Sequence, residues 1–245
     1  MNTDLPQHSL LKSFLYHILP GLLTGLAFIL LHALLQNSQT PALLAFLIAI
    51  TLVDIPIQLG ILLAEGKKRN GRYSLKGILA YQEKLSWGKF ALVFAGAFVV
   101  IYAIIMLVTP LNTWLQSTLF SALPAWLLMD EQSQYFAFGK NLLIGLFSAQ
   151  LVITGLVLPW IEENYFRGFL LPRISRFGKW AAVINGLFFA CYHVWQPQGF
   201  LTVFLLGTSL AALTLWKRDL RLPVSLHMVA NTFTRIAFLM AAISM

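Results

Sequence analysis

Apolar runs at about 13–36, 41–64, 90–109, 139–161, 180–195, 200–216 and 222–243 dominate this chain, separated by short polar or basic stretches. A helix needs about 20 mostly apolar residues to cross a bilayer, and in lipid its backbone must satisfy its own hydrogen bonds. The runs therefore predict an all-α fold, a polytopic membrane helical bundle of about seven to eight transmembrane helices. Of the 245 residues 58% are hydrophobic and only 11% charged, which excludes a free cytosolic globule and leaves no room for a sizeable soluble domain. The single cysteine, Cys191, excludes a disulfide-built secreted domain, and the low charge with 13% aromatic residues excludes disorder.

The formal net charge of +8 is confined mostly to loops. Lys67, Lys68, Arg69, Arg72, Lys76, Lys84 and Lys89 fall in one loop, Arg167, Arg173, Arg176 and Lys179 in a second, and Lys217, Arg218 and Arg221 in a third. Lys and Arg collect in cytoplasmic loops, so the basic character implies a membrane orientation and no nucleic-acid partner. Stretches 37–41, 110–138 and 196–199 lack Lys and Arg, and the middle one carries Asp130 and Glu131; these are expected outside. Segment 110–129, interrupted by Pro110 and Pro124, is expected to be interfacial or re-entrant, with Trp114 and Trp126 at headgroup level. The first apolar run is too long for a signal-peptide core and lacks a basic start, so it is expected to be a retained anchor.

Ionisable groups at bilayer depth are costly and usually face the protein interior. Here they are Asp54, Glu162, Glu163, Arg167, Arg235, His17, His32, His193 and His227. Glu163 and Arg167 are four residues apart, share a helix face and can pair. That leaves Glu162, about 100° round the helix, free to point elsewhere. Asn185, Phe189 and His193 form one helical stripe, and His227, Asn231 and Arg235 form another. With a turn near Pro172 to Gly178, a rise of about 1.5 Å per residue brings Glu162, His193, His227 and Asn231 into the cytoplasmic half of the membrane. Snorkelling at a helix end and an interhelical hydrogen-bonded seam are the plain alternatives. Asp54 is expected either to pair with Arg235 or to face a water-filled cavity, and His17 and His32 are expected to serve packing.

A buried Glu with an imidazole can activate water, and a second His with an Asn amide can stabilise an oxyanion. Those parts suit peptide-bond hydrolysis. No Gly-x-Ser-x-Gly elbow and no His-Glu-x-x-His signature are present, while Glu162, His193 and His227 are candidate ligands for a divalent metal such as zinc. Metal-dependent and metal-free hydrolysis both stay open at this level.

Glu162-Glu163-x-x-x-Arg167, Phe189-x-x-x-His193 and His227-x-x-x-Asn231, in this order on late membrane spans, resemble the three motifs of the CAAX protease and bacteriocin-processing (Abi) family of intramembrane endopeptidases. The resemblance covers roughly residues 140–235. It implies that Glu162 and His193 activate water, that His227 and Asn231 stabilise the oxyanion, and that Glu163, Arg167 and Phe189 support the site. It also implies a membrane-associated peptide or protein substrate and an integral protein, expected in a bacterial cytoplasmic membrane. The chain then divides into variable N-terminal membrane helices, 1–138, and catalytic membrane helices, 139–245, within one membrane domain. A catalytically silent scaffold or bacteriocin-immunity protein of the same fold is the competing reading, and a proton-coupled transporter using Asp54 and Glu162 a weaker one.

Overall fold

The computed structural model describes residues 5–36, 40–128 and 138–245. Its membrane helices are α1 (Leu10–Leu35), α2 (Ala42–Asn70), α3 (Trp87–Thr118), α4 (Lys140–Phe177), α5 (Trp180–Tyr192), α6 (Phe200–Lys217) and α7 (Arg221–Ser244). The helices coincide with the seven apolar runs, and all but the shorter α5 are long and apolar enough to cross a bilayer. Asp130, Glu131 and positions 37–39, which entered the charge argument, lie outside the described residues.

Each boundary has a local cause. The Ser9 hydroxyl caps α1 by accepting from the Lys12 N–H at 3.1 Å. Gly71, at φ 71°, closes α2 just after Lys67, Lys68 and Arg69, which sit where the helix dipole favours cations. Gly178, at φ 56°, makes the turn into α5, where the sequence places it. Gly21 and Gly186 serve close packing instead: a Cβ on Gly21 would overlap the Tyr192 carbonyl, and one on Gly186 would overlap the Thr208 backbone.

Within segment 110–129, α3 continues through Pro110 to Thr118. Proline removes one backbone donor, but hydroxyls in the same region bond neighbouring carbonyls, Thr109 to Ile105 at 2.8 Å and Thr113 to Thr109 at 3.1 Å. The turns that follow fold Trp126 inward, stacked on His32 at 3.9 Å between ring centroids. Trp114 stays exposed.

The outer surface is what a bilayer requires. Only 6% of the apolar window of α3 is buried, and Leu92, Val99, Leu107 and Trp114 project from it. The centre of the bundle is the motif-bearing part of α4, where every residue from Ile161 to Ile174 is buried. This helix is irregular. Leu151–Val157 and Glu163–Leu170 are wound as π-helix around an α-helical turn, Leu158–Glu162, and Leu171–Phe177 tightens to 3₁₀.

Below this segment, at the end carrying the basic loops, the α2–α3 loop packs into the bundle. Ile78, Leu79, Ala80 and Tyr81 are buried. The Ala80 N–H donates to Gly168 O at 2.9 Å, the Leu220 N–H to Tyr81 O at 2.9 Å, and Arg173 Nη1 to Ile78 O at 3.3 Å. The loop thus ties α4 to the start of α7.

Candidate active site

α4 presents two adjacent carboxylates whose surroundings differ. Glu163 is fully buried, and its Oε1 accepts from Arg167 Nη1 at 3.0 Å and from His227 Nδ1 at 2.8 Å. Arg167 is equally buried; its Nη2 donates to Gly207 O at 3.2 Å, and its guanidinium lies 4.1 Å from the centre of the Phe189 ring. The pairing of Glu163 with Arg167 read from their spacing is therefore present. With Nδ1 of His227 donating to Glu163, Nε2 faces Glu162, 3.8 Å from its Oε2. The other Glu162 oxygen is buried with no hydrogen-bond partner.

His193 caps the C-terminal end of α5. Its Nδ1 donates to Phe189 O at 2.8 Å, which leaves Nε2 with a free lone pair, and its ring meets Phe189 edge to face at 4.5 Å. Asn231, one turn beyond His227 on α7, donates one amide hydrogen to Thr154 O at 3.1 Å and keeps the other. Thr154 belongs to the first π stretch of α4, whose widened winding offers that carbonyl sideways; π turns recur at functional sites for this reason.

Glu162, His193, His227 and Asn231 all line one cavity of about 320 Å³, a size suited to a small ligand or a peptide segment. The cavity extends from Glu162 toward Gln196, in the α5–α6 connection, and toward Phe238 on α7. Both lie on the side away from the basic loops.

As a metal site the arrangement does not fit as it stands. Among the described residues no three His, Cys, Asp or Glu side chains are grouped to hold one ion. Glu162 and His227 approach each other, while His193 shares their cavity without completing a ligand set.

Asp54 is placed differently from the expected pairing. Its fully buried carboxylate accepts from the Tyr192 hydroxyl and from Gln58 Nε2, at 3.2 Å to each oxygen, rather than from Arg235. Tyr192 also receives the second Gln58 amide hydrogen at 3.0 Å, and its hydroxyl stands beside Glu162. Arg235 bonds Thr154 Oγ1 and Asn231 O instead, both at 2.8 Å. The (i, i+4) spacing of Asp54 and Gln58 was a visible signal of their bond, but Tyr192 could not be found from its neighbour His193, because adjacent residues point about 100° apart on a helix. His17 accepts from Asn185 Nδ2 at 3.0 Å while its Nδ1 donates to Ser13 O at 2.7 Å. Asn185 also donates to Phe166 O at 3.0 Å and so joins α1, α4 and α5.

Residues 144–233 match the family described as type II CAAX prenyl endopeptidase Rce1-like. Over this segment the chain is similar to the CAAX protease family. The match spans α4 through most of α7 and includes every residue of the three motifs. No curated protein and no solved structure matched the chain.

Proposed function

We propose that this protein is an intramembrane endopeptidase that hydrolyses a peptide bond of a membrane-associated protein or peptide. The observation that carries the reading is the division of labour between two neighbouring carboxylates. Glu163 is paired with Arg167, whereas Glu162 has no arginine partner and lines a cavity together with His193, His227 and Asn231. Glu162 is the general base that takes a proton from water, with the unprotonated Nε2 of His193 accepting the second hydrogen bond and orienting the attack. The spare amide hydrogen of Asn231 donates to the developing oxyanion. His227, its Nδ1 proton committed to Glu163, turns the Nε2 lone pair toward Glu162 and accepts from the Glu162 carboxyl while that group carries the water proton. The proton on Glu162 then passes to the leaving amine, so the carboxylate is regenerated.

The basic loops set the orientation, with the α2–α3, α4–α5 and α6–α7 connections on the cytoplasmic face by the Lys and Arg bias. Cleavage is measured with purified protein in detergent and a membrane-spanning reporter peptide. Glu162→Ala is expected to abolish hydrolysis while leaving the melting temperature within a few degrees of wild type. Full activity in Glu162→Ala overturns the assignment.

A further inference from the structure

We propose that Asp54 is a positioning residue that acts on Glu162 through Tyr192: by taking the phenolic proton it keeps the Tyr192 hydroxyl from donating to Glu162, whose lone pairs stay open to water. This rests on the protease reading for what an open carboxylate does, and on the bonds between α2 and α5 for how it is kept open.

Asp54 ends a π-wound stretch of α2, Ile50–Asp54, a winding found mostly at functional sites. Its fully buried carboxylate meets polar groups from three helices. Gln58 Nε2, one turn further along α2, donates to both oxygens at 3.2 Å, the Tyr192 hydroxyl of α5 donates to Oδ2, and Thr24 of α1 stands alongside. Tyr192 is fully buried as well. Its ring lies 4.9 Å from that of Phe166 and meets His193 and Trp195 edge to face at 4.7 and 5.0 Å between centroids, so the hydroxyl is held where it stands.

A tyrosine hydroxyl has one proton to give, and two carboxylates flank this one, Asp54 and Glu162. The structure gives the proton to Asp54. Gln58 Nε2 also donates to the Tyr192 oxygen at 3.0 Å, which fills one of its lone pairs and fixes the direction of the hydroxyl. Glu162 Oε1, by contrast, has no hydrogen-bond partner. Packing alone does not call for an acid here. The side chains that bond Asp54 are neutral, and an amide or an apolar side chain would join α2 to α5 without the cost of burying a carboxylate. What the carboxylate supplies, and an amide does not, is acceptor character on both oxygens. It cannot donate to Tyr192 and so turn the phenolic proton toward Glu162.

The direction of that proton matters for the step assigned to Glu162. A hydrogen bond from Tyr192 would occupy a lone pair of the general base, and it would have to be broken before the carboxylate takes a proton from water. Asp54 and Tyr192 are not among the described residues lining the cavity. Their effect therefore falls on the chemical step and leaves substrate binding alone.

Four full-length proteins in detergent test this: wild type, Asp54→Leu, Tyr192→Phe and the double variant. Asp54→Leu leaves Glu162 as the carboxylate beside the hydroxyl, and is expected to lower kcat about ten- to hundredfold with KM within about twofold, the scale of one hydrogen bond to a charged group. Adding Tyr192→Phe removes the misdirected proton and is expected to recover most of that loss. A bond that serves packing alone gives the opposite pattern, with the double variant as slow as Asp54→Leu or slower. That pattern overturns the proposal, as does an unchanged kcat in Asp54→Leu or a loss carried by KM. Infrared spectra give a readout that needs no turnover. The Glu162 band is isolated by subtracting the spectrum of the same protein with Glu162→Gln. It is expected to stay in place in Tyr192→Phe, to shift in Asp54→Leu and to return in the double variant; a shift in Tyr192→Phe or none in Asp54→Leu overturns the proposal. Should Asp54→Leu fail to fold, Asp54→Asn, whose amide donates to Tyr192, takes its place with the same expected pattern. A wild type that does not cleave while the band shifts and returns refutes the protease reading alone, and one that cleaves with an unmoved band in Asp54→Leu refutes only the role of Asp54.

Discussion

The ion pair between Glu163 and Arg167 offers a test of how the site is built. Both side chains are fully buried and 3.0 Å apart. Replacing Arg167 with Met keeps much of the volume but leaves Glu163 with His227 as its only polar partner, 2.8 Å away. Breaking a buried pair from one side costs about 3–5 kcal/mol because the surviving charge is uncompensated. Arg167→Met is therefore expected to lower the folded-to-unfolded ratio by a factor of about a hundred to several thousand. Glu163→Gln also destabilises, since it strands the guanidinium, although a Gln oxygen still accepts from His227. The double variant removes both charges, and its loss should be at least about 1.5 kcal/mol smaller than the sum of the single losses. Reversible unfolding by SDS in mixed micelles, followed by tryptophan fluorescence, measures all four proteins. A loss below about 1 kcal/mol for Arg167→Met, or simple additivity, would refute the claim that Arg167 neutralises Glu163.

Two further outcomes follow from packing and from pH. Gly186→Val should destabilise by about 1–3 kcal/mol or more, because its side chain meets the Thr208 backbone on α6; Gly60→Ala, with nothing within 4 Å of the new methyl, should be neutral or slightly stabilising in the same thermal melt. In the α6–α7 loop, burial pushes the Asp219 carboxyl up, but hydrogen bonds from the Arg221 side chain and the Leu85 and Arg221 N–H groups outweigh it and hold its pKa below the ordinary 3.8. Its stabilisation is thus fully present above that value and is lost as pH falls through the lower folded-state pKa, so the gap in melting temperature between wild type and Asp219→Asn should narrow on acidification. A gap that stays constant or widens contradicts this.

Much of the architecture was legible because its causes are local. Hydrophobic run length located the seven long helices of the described residues, and the (i, i+4) rule placed Arg167 on Glu163. The extent of α3 was less legible, because Pro110 is a strong helix-ending signal in water, whereas here Thr109 and Thr113 hydroxyls bond carbonyls beside it and the helix runs on to Thr118. The partner of Asp54 stayed open in the sequence for a different reason. Charge pairing suggested Arg235, but the contact that formed depends on how far α5 advances against α2, which brings the Tyr192 hydroxyl to the carboxylate. That advance is permitted by Gly21, whose missing side chain lets α1 touch the Tyr192 backbone. No one-dimensional pattern encodes such a distance. The link from His227 to Glu163 was hidden similarly, since it requires knowing which face of α7 turns toward α4.

The form of the cavity bears on how a peptide bond would reach Glu162 on the proposed reading. The buried strip Ile78–Tyr81 lies between the site and the basic loops and is held by hydrogen bonds to Gly168, Leu220 and Arg173. Gly168 is part of this closure: a Cβ there would sit 3.0 Å from Leu220 Cδ1 and 3.1 Å from Leu79 Cδ2. Tyr81 adopts φ 59° and Arg218 φ 56°, conformations that L-residues rarely hold without compensation. The compensation is visible in the Leu220 bond to Tyr81 O, the Glu83 N–H bond to Arg218 O at 3.0 Å, and the ion pair between Arg218 and Glu83. A strip held by several such bonds is a poor gate, because opening it would break them at once. By contrast, the cavity reaches Gln196 and Phe238 at the other end, where α7 exposes Phe233 and Ile236 toward lipid. On the proposed reading, a membrane-anchored substrate meets less resistance approaching beside α7 or past the α5–α6 connection.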